Sequence, residues 1–91
     1  MVNYNQLKQP AVYALLSDAE CLRRLAEPIR RSHMYYGLLI SVIDTVMNVC
    51  KCIDSLEVFN TPGVAQLILA TSNLVNDCIV TLTFAYRAKL L

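Results

Sequence analysis

The sequence predicts an all-α protein in which a short N-terminal helical region is followed by a long antiparallel two-helix hairpin that completes a helical bundle by association. Two stretches, about residues 34–53 and 64–86, carry apolar residues at helical spacing. In each stretch these residues spread over more than one stripe, which is wider than a single helix contact covers. With only two glycines and three prolines in the chain, a turn-rich β fold is disfavoured.

The composition indicates one small domain, residues 1–91, with an excess of apolar residues. The chain is 56% hydrophobic and 16% charged, whereas typical globular domains contain roughly 45–50% and 25%. A net charge of +1 gives no electrostatic argument for binding nucleic acid or an anionic membrane. We therefore expect the broad apolar helix faces to contact another subunit, another protein or lipid.

The first element is predicted to be a short helical region over residues 10–27, after a polar lead over residues 1–9. Pro10 suits the first position of a helix. The segment 17–20 (Ser-Asp-Ala-Glu) has the pattern of a capping box, which predicts a helix start there. Pro28 removes a backbone donor and disfavours helical geometry at the residue before it, so the region is expected to end or kink at this point.

The second element is a long helix predicted over residues 29–56. Its heptad-spaced apolar row consists of Tyr35, Leu39, Val42, Val46, Val49, Ile53 and Leu56. A second row with the same spacing begins one residue later, at Tyr36. Because a two-helix hairpin covers only one row, we expect the other row to face a partner.

The third element is a long helix predicted over residues 61–91. Thr61 fits the N-cap position and Pro62 the first helical position. Its main apolar row includes Val64, Ile68, Val75, Cys78 and Leu82. The short connection over residues 57–63 makes the two long helices antiparallel neighbours.

Five polar residues interrupt the two apolar stretches near their middle. They are Asp44, Asn48, Asn73, Asn76 and Asp77. One interpretation places them on solvent-facing stripes of their own helices. The alternatives are asparagines that fix register and oligomeric state at a helix seam, or carboxylates that form an ion or proton site in an apolar or intramembrane interior.

A basic stripe precedes the apolar region and consists of Arg23, Arg24, Arg30 and Arg31. Its seven-residue repeat could follow a phosphate backbone or an anionic lipid surface. Glutamates at positions 20 and 27 lie four residues from three of these arginines, which predicts a ladder of intrahelical ion pairs on a solvated face. No aromatic residue is interleaved with the arginines, so nucleic-acid binding is the weaker interpretation.

No motif in the sequence predicts catalysis, a cofactor or a metal site. The four cysteines are Cys21, Cys50, Cys52 and Cys78, and they lack the C-x₂-C spacing of zinc sites. His33 is the only histidine, and no glycine-rich phosphate loop is present. We expect reduced cysteines that serve as small hydrophobic residues.

These patterns predict a non-enzymatic interaction or structural subunit of the cytoplasm that forms a homo-oligomer or joins a larger protein assembly. The polar first nine residues do not resemble a secretion signal. The alternative is a small two-span membrane protein, pore- or holin-like or part of a membrane complex, with both termini cytoplasmic because basic residues flank the outer ends of the spans. The polar residues within the spans argue against this alternative.

Overall fold

The computed structural model describes residues 4–91 and consists there of three α-helices, with no strand in that range. Helix α1 spans Tyr4–Ala26, α2 spans Met34–Ser55 and α3 spans Pro62–Arg87. The predicted all-α class is therefore confirmed. The first three residues of the predicted polar lead lie outside the described range.

Helix α1 is longer and less interrupted than the sequence predicts. Residues Tyr4–Gln9 of the predicted polar lead are already helical, and Pro10 lies inside the helix instead of at its start. The predicted helix start at Ser17 is wrong, because α1 runs through Ser17 and leaves its side chain exposed. The proline removes one backbone donor from the helix, and this loss is offset by the packing of α1 on both sides of it, from the buried Lys8 to the buried Ala26.

The contacts of α1 with the other two helices explain this continuity. The buried apolar residues of α1 are Leu15, Ala19, Leu22 and Ala26. They recur at the spacing of one helix face. Near the start of α1, the buried Lys8 ammonium donates hydrogen bonds to the carbonyl of Asp54, at 3.3 Å, and to that of Leu56. These carbonyls lie at the C-terminal end of α2, where a cation also interacts favourably with the helix dipole.

Helix α2 begins at Met34, five residues after its predicted start. The connection over residues 27–33 is irregular, and Ile29 within it is buried. His33 caps α2, since its Nδ1 atom accepts a hydrogen bond from the backbone N–H of Tyr35 at 3.0 Å. An irregular connection anchored by the buried Ile29, together with a histidine cap, therefore replaces the first helical turn that the sequence predicts.

Thr61 is the N-cap of α3, as the sequence predicts. Its Oγ1 atom accepts a hydrogen bond from the backbone N–H of Val64 at 3.3 Å, and Pro62 occupies the first helical position. Helix α3 ends at Arg87, four residues before its predicted end. Lys89 follows with a φ of 57°, the left-handed geometry that commonly terminates helices.

The three helices form a bundle in which α1 contacts α2 and α3 more extensively than those two contact each other. The buried core contributed by α2 and α3 consists of Leu39, Ile43, Val46, Cys50, Ile53, Val75 and Leu82. The second apolar row of α2 also packs within the chain, because Tyr36, Ile40 and Met47 lie against this core. The expectation that this row faces a partner is wrong, since the longer α1 provides a third helix that the hairpin lacked.

Candidate functional site

Most residues predicted to form an association surface contribute to the core of the single chain. Five of them are buried: Leu39, Val46, Ile53, Val75 and Leu82. Seven are half-buried: Tyr35, Val42, Val49, Leu56, Val64, Ile68 and Cys78. The apolar residues that the bundle leaves exposed lie beside these rows.

The sparsest contact in the bundle is the one between α2 and α3. Tyr35 on α2 and Cys78 on α3 lie near each other there, and burial together with the nearby Cys78 raises the pKa of the Tyr35 hydroxyl. About 80° around α3 from Cys78, the Tyr86 hydroxyl donates a hydrogen bond to the Leu25 carbonyl of α1. The Cys78 side of α3 therefore lies toward α2, and the Tyr86 side lies toward α1.

Three leucines, one on α2 and two on α3, are partly exposed beside this contact. Leu38 is 57% exposed, Leu67 41% and Leu74 42%. Leu38 follows Tyr35 by three residues, and Leu74 precedes Cys78 by four, so each lies on the same helix side as its neighbour. We call the surface formed by Leu38, Leu67 and Leu74 the α2–α3 groove.

The surface area of the chain is larger than its mass predicts. Its accessible area is 6541 Å² for 10.2 kDa, whereas a compact monomer of this mass exposes about 5,300 Å². The radius of gyration is 14.9 Å, against about 12 Å for a compact domain of this length. The excess area exceeds the roughly 800 Å² that each partner buries in a typical stable interface.

The outward face of α3, beyond the groove, is mixed in character. Its exposed apolar residues are Leu69, Val80 and Phe84. The polar residues Gln66, Asn73, Asn76 and Asp77 are exposed among them. The groove leucines also have exposed polar neighbours, because Thr45 and Thr81 follow Leu38 and Leu74 by seven residues and lie on the same helix sides.

The five polar residues singled out from the sequence are exposed in the single chain. Asp44 and Asn48 lie on the outward face of α2, while Asn73, Asn76 and Asp77 lie on that of α3. None of them is buried at a helix contact within the chain, so they do not set the register of this bundle. Within residues 4–91, no group of three histidine, cysteine or acidic side chains is arranged to hold a metal ion.

The four arginines of the basic stripe are all exposed. Glu20 pairs with Arg23 at 3.7 Å and with Arg24 at 3.5 Å. The other two predicted pairs, which involve Glu27, are not formed in the described part of the chain. The predicted ladder is thus limited to Glu20, and the arginines of the connection, Arg30 and Arg31, make no ion pair with the described part of the chain.

The cysteines are free thiols in this structure. Cys21 and Cys52 are exposed, Cys50 is buried and Cys78 is half-buried. Burial raises the pKa of the Cys50 thiol. Burial and the nearby Asp77 carboxylate raise the pKa of the Cys78 thiol. Both environments favour the protonated thiol, which is the less nucleophilic form.

Helices α2 and α3 are each long and apolar enough to cross a membrane. Within the most apolar window of each helix, 28% of α2 and 17% of α3 is buried in the chain. The core helix of a soluble protein passes the same test of length and composition, although such a helix is mostly buried. Most of the apolar stretch of α3 is thus accessible in the single chain.

No family model, curated protein or solved structure matches this chain at a significant level. The geometry of the exposed surfaces therefore carries the functional argument. The groove leucines are absent from the predicted association set, although Leu67 and Leu74 flank the main row of α3 with seven-residue spacing. This spacing places Leu67 and Leu74 on one side of α3. Whether that side is covered depends on the position of α1, which the spacing does not show.

Proposed function

We propose that this chain is a non-enzymatic association subunit of the cytoplasm whose α2–α3 groove packs against the same groove of a second copy. The observation that carries the proposal is the partial exposure of Leu38, Leu67 and Leu74 along the least packed contact of the bundle. A two-fold dimer is the simplest closed assembly, because one self-complementary surface serves both partners. Four helices, two from each copy, then enclose the leucines.

The surface area of the chain is consistent with this arrangement. A groove-to-groove contact that buries about 800 Å² per partner would bring the exposed area of each copy close to that of a compact protein of this mass. At about 25 cal/mol per Å² of apolar surface, the leucines supply the main favourable contribution. Exposed polar residues on the outward faces, such as Asp44 and Asn73, remain in water.

The proposal assigns no catalytic role to the chain. His33 uses Nδ1 to cap α2, and the raised pKa values of the Cys50 and Cys78 thiols disfavour thiolates at neutral pH.

The test compares two pairs of substitutions on α3 by sedimentation equilibrium in detergent-free buffer. The Leu67→Ser/Leu74→Ser variant removes two groove leucines from each copy, four in the dimer, and we expect the dimer dissociation constant to rise about tenfold for each leucine lost. The control, Leu69→Ser/Val80→Ser, changes two exposed residues of the outward face and should leave the constant unchanged. Equal weakening by both pairs, or none by either, would contradict the groove.

A second candidate function is a two-span membrane protein with α2 and α3 as the spans. Two observations favour it: both helices meet the length and hydropathy of a span, and six of the eight lysines and arginines lie in residues 23–31 and 87–89, at the outer ends of the spans. Asp44 and Asp77 count against it, since each charged group at the centre of a span costs about 2.5–3.5 kcal/mol. Recovery of the chain in a carbonate-resistant membrane pellet would support this candidate over the soluble dimer.

A further inference from the structure

One end of the bundle collects most of the positive charge. The chain passes up, down and up again, so the end of α1, the start of α2 and the end of α3 meet. Contacts at this end include the hydrogen bond from Tyr86 to Leu25 and a cavity that Tyr86 lines together with Pro28 and His33. We call this region, residues 20–36 and 84–91, the basic end.

The charges of the basic end are Glu20, Arg23, Arg24, Glu27, Arg30, Arg31, Arg87 and Lys89. Their sum is +4, while the charged side chains of the remaining residues sum to −3. The net charge of +1 is therefore unevenly distributed, with positive charge concentrated at one end of the bundle. Because Glu20 is already shared by Arg23 and Arg24, the cations of the connection and of the end of α3 are the ones available to an anionic partner.

Large apolar side chains are exposed at the same end. Met34 is 81% exposed at the first position of α2, and Phe84 is 66% exposed one turn before Arg87 on α3. Tyr35 and Tyr36 lie half-buried beside Met34. Cations mixed with exposed apolar and aromatic side chains are typical of surfaces that lie in the headgroup region of a bilayer.

We propose that the basic end binds the surface of an anionic lipid bilayer. The arginines and Lys89 contact lipid phosphates, while Met34 and Phe84 enter the boundary between headgroups and acyl chains. A nucleic-acid backbone would satisfy the cations but would leave Met34, which is neither aromatic nor polar, without a role. The long axis of the bundle then stands away from the membrane, and the α2–α3 groove stays accessible to a second copy.

The first test is cosedimentation of the full chain with vesicles of phosphatidylcholine alone or of phosphatidylcholine and phosphatidylglycerol in equal amounts. We expect binding to the anionic vesicles that high salt reverses, and little binding to the neutral ones. Arg31→Gln should weaken binding about fivefold, and the Arg30→Gln/Arg31→Gln variant about 25-fold. Lys51→Gln removes an exposed cation from α2 near the opposite end and should change nothing.

The second test separates lipid from nucleic acid. Met34→Ser and Phe84→Ser should each weaken binding to anionic vesicles on the order of tenfold, whereas Leu69→Ser, another exposed apolar residue of α3, should not. Circular dichroism and sedimentation of each variant check that folding and dimerisation are unchanged. A loss of lipid binding can then be distinguished from a loss of dimerisation through the α2–α3 groove. Equal affinity for both vesicle types, resistance to carbonate extraction, or tight binding to duplex nucleic acid that ignores Met34→Ser would each overturn the proposal.

Discussion

Ser17→Ala tests the continuity of α1, because two accounts of this residue predict effects of opposite sign. If Ser17 capped a helix, its loss would reduce the free energy of unfolding by about 0.5–2 kcal/mol. In the structure Ser17 lies in the interior of α1 with its side chain exposed. Alanine has the higher helix propensity at such a position, so we expect the free energy of unfolding to rise by about 0.3–0.5 kcal/mol.

The assay is urea unfolding followed by far-ultraviolet circular dichroism, at one fixed protein concentration because association contributes to stability. Thr61→Ala is the matched control, since Thr61 Oγ1 does accept a hydrogen bond from the Val64 N–H. This variant should lose about 0.5–2 kcal/mol. A loss of similar size in Ser17→Ala would refute a continuous α1 and restore a helix start at Ser17.

Three further predictions follow from burial in the bundle. Leu22→Ala, which truncates a fully buried side chain of α1, should cost about 2–5 kcal/mol in urea unfolding; an unchanged midpoint would mean that α1 is not part of the core. Cys21, which is exposed, should react with iodoacetamide faster than the buried Cys50. The raised pKa of the Cys50 thiol should increase this difference in rate near neutral pH, and mass spectrometry of the labelled chain measures both rates. The double variant Asp44→Asn/Asp77→Asn should shift stability by less than about 0.5 kcal/mol, because both carboxylates face solvent.

The sequence predicts the parts of the fold that depend on periodicity along a single helix. The spacing of Leu39, Val46 and Ile53 identifies the buried side of α2, and Thr61-Pro62 identifies the start of α3. These features are local, because apolar residues three or four positions apart lie on the same side of a helix.

Features that depend on the docking of a third helix are not predicted. Pro10 and Ser17 are local signals for helix starts, yet the packing of Leu15 and Leu22 keeps α1 continuous through both. Lys8 reaches carbonyls 46 and 48 positions away, and no sequence pattern links them. The groove was missed for the same reason, since the position of α1 decides which flank of α3 stays open.

The mass of the full chain in detergent-free buffer, measured by light scattering at micromolar concentration, tests the central claim most directly. A groove that packs against its own copy predicts a soluble, helical species with twice the monomer mass of 10.2 kDa. A monodisperse 10.2 kDa species that is fully helical by circular dichroism would contradict the claim. The chain would then fold as a monomer with the groove leucines exposed to water.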